Sequence, residues 1–153
     1  MIYETDTDRI LFYDGSTWKR TAHDIPHTEA VSVAQVSGNR NSTTYAALPA
    51  VCAITFTKHR ADTRLVFTVT GSAYASGNTL MTWGVNYDGT AANTVECARL
   101  FANYASSHAT IAGSNQKTGL AAGSYTCSIY WKTTGQWNTD SNDHATLVVT
   151  ESM

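Results

Sequence analysis

The sequence predicts an all-β protein, an antiparallel β-sandwich preceded by a small N-terminal β-meander. Three observations carry this. Residues 51–57 (VCAITFT), 64–70 (RLVFTVT) and 124–132 (SYTCSIYWK) alternate apolar and polar side chains, the period of a half-buried strand. Turn signals separate such runs at roughly the 8–12-residue spacing of β-sandwiches. Charged residues make up only 14% of the chain. Its polar surface must come from Thr, Ser, Asn and Gly, which suit strands and turns.

Residues 1–20 (MIYETDTDRILFYDGSTWKR) read as three short strands. Ile2 and Tyr3 start the first, residues 4–8 turn, and residues 9–13 form the second. Asp14-Gly15-Ser16 turn again, and Trp18 begins the third. Asp-Gly between apolar runs is a hairpin signal, because Gly adopts φ > 0 without steric cost. So small a sheet needs a surface to pack on. Residues 21–28, with Pro26, read as a linker, and residues 29–153 as the sandwich domain.

Within that domain residues 29–36 form the first long strand, and residues 37–43 a loop. On 51–57, Cys52, Ile54 and Phe56 share a face. On 64–70, Leu65, Phe67 and Val69 point inward; residues 71–78 are expected to loop. On 79–87, Met81, Trp83, Val85 and Tyr87 line one side. Residues 93–105 read as a strand with Val95, Cys97 and Phe101 on one face, or as a helix with a Val95, Ala98 and Ala102 stripe; the β neighbours favour the strand. Residues 108–112 are a short strand and 113–122 a loop. On 124–132, Tyr125, Cys127, Ile129 and Trp131 face in. Residues 133–143 are expected to be a long polar loop around Trp137. Residues 144–150 close the domain, with Ala145, Leu147 and Val149 inward.

The formal net charge of −2 lacks the basic field of a nucleic-acid binder. No run of about 18 apolar residues predicts a membrane span, and no basic-then-apolar start predicts a secretory signal. Synthesis in a host cytoplasm is expected. Cys52, Cys97 and Cys127 form no C-x-x-C pair, so they read as buried small hydrophobes, with one disulfide left open.

The string IYETDTDRILFYDGSTWKR resembles an element common in structural proteins of tailed bacteriophages. The resemblance implies a virion component. The final third, GLAAGSYTCSIYWKTTGQWNTDSNDHATLVVTES, resembles the end of jelly-roll modules of the C1q/TNF-like type, which recur in phage tail and fibre proteins. It implies a jelly-roll-like sandwich and a homotrimer. Partners would be other virion proteins, of capsid or tail, with Tyr3, Phe12, Tyr13 and Trp18 making the particle or subunit contact. Residues 1–153 contain no heptads or collagen-like repeat, so a capsid decoration, head fibre or tail-tip unit fits better than a long fibre.

No catalytic set emerges, and no enzyme is expected. Ser114-Asn115-Gln116-Lys117 and Lys117-Thr118-Gly119 mimic S-x-x-K and K-T-G, but acyl transfer needs two separate lysines, and here one would serve both. The Asp residues in turns (Asp6, Asp8, Asp14, Asp62, Asp88) read as groups that bond their own backbone. No metal or cofactor is expected. His23 and His27 are separated by Pro26, which breaks a shared helix face. Residues 137–143 offer oxygens at Asn138, Asp140 and Asn142 but lack the Gly and distal Glu of an EF-hand. An alternative to the structural role is attachment to a host cell-surface glycan. Trp137 would be the stacking ring, and Asn138, Asp140 and Asn142 the hydrogen-bonding groups.

Overall fold

The computed structural model describes residues 2–4, 9–13, 15–16, 18–20, 28–33, 35–48, 52–103 and 105–153, the side chains of 2–4, 9–12, 18–20 and 32 aside. Fourteen strands are described: β1 (Ile2–Glu4), β2 (Arg9–Tyr13), β3 (Trp18–Arg20), β4 (Thr28–Val33), β5 (Gly38–Arg40), β6 (Ala46–Ala47), β7 (Ala53–Lys58), β8 (Arg64–Ala75), β9 (Thr79–Asn86), β10 (Val95–Ala102), β11 (His108–Lys117), β12 (Gly123–Thr133), β13 (Trp137–Thr139) and β14 (Ala145–Ser152). They form three antiparallel sheets.

The first sheet is the expected meander, in the order β1-β2-β3. Ile2 pairs with Leu11, and Tyr13 pairs with Trp18. Gly15 takes φ +100° between β2 and β3, the left-handed conformation that made Asp-Gly a turn signal. The linker reading lies outside the described residues, except that β4 already begins at Thr28.

The other two sheets form the sandwich. One has the order β10-β9-β12, with β7 and β6 on the other side of β12. The second has the order β4-β14-β8-β11, with β13 and β5 completing it at the far end of β8. Sequence neighbours thus alternate between sheets: β7 is in one, β8 in the other, β9 and β10 in the first, β11 in the second, and so on to β14. This is an eight-stranded jelly roll with short strands added, and the all-β sandwich expected from the sequence is the observed fold.

Alternation along each strand explains the core. Leu65, Phe67 and Val69 on β8, Ile111 on β11, and Ala145, Leu147 and Val149 on β14 face Met81, Trp83 and Val85 on β9, Cys127, Ile129 and Trp131 on β12, and Phe56 on β7. Each large side chain so buried contributes about 1.5–3 kcal/mol. Gly71 belongs to this layer for a steric reason. A Cβ there would lie 2.5 Å from the Trp83 ring, so only glycine leaves room for the indole.

Four expectations are corrected. Residues 71–75 continue β8 rather than looping, and 113–117 continue β11, because these two strands pair along their whole length from Lys117↔Leu65 to His108↔Tyr74. Small residues there suit the close approach of neighbouring backbone. The expected 133–143 loop contains β13, and Trp137 is fully buried. Residues 95–102 are a strand, but Phe101 is 62% exposed rather than inward. A bulge between Glu96 and Ala98 shifts the register. One extra residue reverses the facing of everything beyond it, so Ala98, Leu100 and Ala102 turn inward instead.

At one end of the sandwich the buried Glu151 closes a polar clamp. Its carboxylate accepts from the backbone N–H of His59 at 2.8 Å, from that of Arg60 at 2.9 Å, and from Thr63 Oγ1 at 2.5 Å. Lys58, also buried, donates its ammonium to the Arg60 carbonyl. The turn between β7 and β8 is thereby tied to the last strand.

Candidate functional site

Two side-chain clusters stand apart from the core. The first lies where the start of β11 meets the turn between β13 and β14. His108 opens β11 opposite Tyr74 of β8, and the two rings lie 4.8 Å apart. Residues 140–143 form the turn, closed by the Asp143 N–H donating to the Asp140 carbonyl at 3.0 Å. Asp143 is fully buried. Its Oδ2 accepts from the Asp140 N–H at 2.9 Å, and its Oδ1 is 3.0 Å from His108 Nδ1. Asp140 is held likewise: Oδ1 accepts from the Asn142 N–H at 2.9 Å, and Oδ2 is 3.5 Å from His108 Nε2. Each carboxylate spends one oxygen on the backbone and turns the other to the imidazole.

Of the residues proposed for sugar contact, the structure places only Asp140 in this cluster. Trp137 is not a stacking platform, because its ring is fully buried and the strand carrying it is paired on both sides, with Arg40 and with Ala75. Asn138 is engaged locally, accepting from Gln136 Nε2 at 3.1 Å and donating to Ser76 Oγ at 3.2 Å. Asn142 is exposed and donates its N–H to Asp140. His108 and Asp143 were missed in the sequence. They are 35 residues apart, and only the pairing of β11 with β8 brings the first to the second. The spacing Asp140-x-x-Asp143 was the one available signal.

The second cluster lies on the outer face of the β10-β9-β12 sheet. Arg99, Thr82 and Lys132 stand in one row across three strands, and Phe101 faces Leu80 in the next. Glu96 sits among them. Its carboxylate pairs with Arg99, lies 3.8 Å from Lys132 Nζ, and accepts from the Tyr45 hydroxyl at 3.4 Å. Lys132 Nζ also stands 4.4 Å from the centre of the Tyr45 ring. Burial raises the Tyr45 phenol well above its ordinary value, and the Glu96 charge and hydrogen bond add to this, so the hydroxyl stays protonated. A shallow groove of about 250 Å³ runs beside this cluster, lined by Thr43, Leu80, Thr82, Arg99, Lys132 and Thr134. The bulge that exposes Phe101 also turns Arg99 outward, so neither is predictable from strand alternation.

The side chains of Tyr3, Phe12 and Trp18 lie outside the described residues; that of Tyr13 is 54% exposed. Of the turn Asp residues described, Asp88 bonds the backbone as expected, its Oδ1 accepting from the Thr90 N–H at 2.9 Å, whereas Asp62 pairs with the Arg60 guanidinium at 2.6 Å. Among the described residues no helix is long and apolar enough to cross a membrane.

No family model and no curated protein matches the sequence. Solved structures do. The crystal structure of the infectious bursal disease virus VP2 subviral particle matches with a TM-score of 0.56 at 14% identity, over 94% of this chain and 38% of that one. The structure of the Gx strain of the same virus matches with a TM-score of 0.55 at 15% identity, over the same shares. The globular domain of zebrafish complement 1qA gives 0.41 at 10% identity, over 80% of this chain and 94% of that one, too low to carry an argument. The class defined here is the jelly-roll β-sandwich, of the form that also occurs in VP2. The chain spans little more than a third of the viral chains it matches, and at these identities the likeness is one of fold.

Proposed function

We propose that this protein is a non-enzymatic structural component of a bacteriophage virion. It is a compact homotrimeric jelly roll attached to the particle as a capsid decoration, head fibre or tail-tip unit. One observation carries the reading: among the described residues β1, β2 and β3 form a separate sheet whose strand pairing is internal, while the sandwich has a full core of its own. A sheet so small is marginal alone, and contact with the particle or a neighbouring subunit would stabilise it. The resemblance of residues 2–20 to a phage structural element supports this, as does a fold shared with a protein of a viral particle. Trimerisation would also cover sheet edges that otherwise invite aggregation. The protein would be made in the host cytoplasm and reside in the virion.

The test compares the full chain with a variant lacking residues 1–20, by light scattering after size exclusion and by circular dichroism. The expected result is a trimer that becomes a folded monomer. A monomeric full chain sinks the trimer, and an unfolded truncation makes the meander part of the core instead of the attachment.

A second reading, a module for host-surface carbohydrate, is favoured by the outer-face groove. It combines two cations, threonine hydroxyls and Leu80, with the exposed Phe101 ring paired across the strands to Leu80, the mixture of polar and apolar contacts that saccharides use. Binding on a glycan array that is lost in Lys132→Ala and kept in Trp137→Phe would support it. An array without hits leaves the structural role alone.

A further inference from the structure

We propose that His108, Asp140 and Asp143 bind a divalent transition-metal ion of the zinc type, which pins the start of β11 to the β13–β14 turn. One ligand atom from each residue lies within 4.8 Å of the others. Zinc takes imidazole nitrogen and carboxylate oxygen at about 2.0–2.2 Å in tetrahedral geometry, which sets donor atoms about 3.4 Å apart, so the widest pair would draw in by up to roughly 1.4 Å. Asp140 and His108 are partly exposed and can make that adjustment. Asp143 cannot move far, being fully buried.

Three features go beyond proximity. The nitrogen donor separates this set from an ordinary acidic surface cluster, since calcium wants six to eight oxygens whereas one imidazole with two carboxylates suits zinc, cobalt or nickel. The Asp143 carboxylate is fully buried, one oxygen held by the Asp140 N–H and the other turned to a ring only partly shielded from solvent, so a cation bound at that ring would add its charge to the hydrogen bonds that already hold the buried group. Finally, every ligand is already oriented: both carboxylates by backbone N–H donors and the imidazole by the Tyr74 ring. Such outer contacts typify ligating residues. Three protein ligands leave the remaining positions to water or to a group from a neighbouring molecule. The site does not depend on the virion reading above.

The test uses tag-free full-length protein stripped with chelator. Zn²⁺ is titrated by calorimetry and by thermal unfolding, with Co²⁺ as a visible-absorption probe and Ca²⁺ as control. The expected result is one Zn²⁺ per chain and a rise in midpoint of about 5 °C or more at hundredfold excess over the dissociation constant. Ca²⁺ should give no comparable rise. His108→Ala and Asp140→Asn should both lose the Zn²⁺-dependent rise. Should His108→Ala fail to fold, Asp140→Asn, altered at a partly exposed carboxylate, decides alone. Absence of a Zn²⁺ effect in the wild type, or its survival in the folded variants, overturns the proposal.

Discussion

Gly113 of β11 lies directly under the carbonyl of Cys97 on β10: a Cβ at Gly113 would stand 2.2 Å from that oxygen and 2.8 Å from the Ala98 Cβ. These strands belong to different sheets, so the contact closes one edge of the sandwich. Asn115 Nδ2, two residues on, donates to the Glu96 carbonyl at 2.6 Å and continues the closure. The atoms a methyl would meet are backbone and Cβ, which cannot swing aside. Gly113→Ala should therefore cost about 1–3 kcal/mol, read as a lower midpoint in chemical denaturation. Gly77→Ala, at a position with open space around it, is the control and should change little.

Trp137 should matter for stability and not for ligand binding. Its ring is fully buried on a strand flanked by two others, so Trp137→Ala should cost about 3–5 kcal/mol. Trp137→Phe should cost less, because the indole Nε1 has no hydrogen-bond partner among the described residues and its removal strands nothing. Urea unfolding of the two variants gives the comparison; equal losses would contradict the packing account.

Glu151 should make the fold acid-sensitive. Burial pushes its carboxyl upward, but hydrogen bonds from the His59 N–H, Thr63 and the Arg60 N–H, with the nearby Lys58 charge, outweigh it and hold the group below its ordinary value. A depressed folded-state value means stability that is present above the unfolded value, about 4.3, and lost as pH falls through the folded one. Glu151→Gln should flatten that acid limb and cost about 1–3 kcal/mol at neutral pH, since an amide N–H₂ would face backbone donors. Stability measured between pH 3 and 7 in both proteins checks the sign.

The three thiols should be inert in the folded protein. All are free, and burial pushes Cys52 up to about 11 and Cys97 and Cys127 up to about 12. Thiolate, not thiol, is the nucleophile. Ellman's reagent at pH 8 should titrate three groups only after denaturation; rapid reaction of the native protein would show a thiol outside the core.

Strand alternation alone determined the class of fold, the meander and most of the core. Leu65, Phe67, Val69, Cys127, Ile129, Trp131, Leu147 and Val149 are buried as their spacing requires, because side chains on a strand must alternate between faces. Tertiary structure decided what alternation cannot encode. The bulge after Glu96 turned Phe101 and Arg99 to solvent and put Arg99 on the wall of the outer groove. Pairing of the polar β13 with β5 and β8 drew Trp137 inside. The full-length pairing of β8 with β11 carried His108 to Asp140 and Asp143. Each depends on which backbones become neighbours, a long-range property that no local period records.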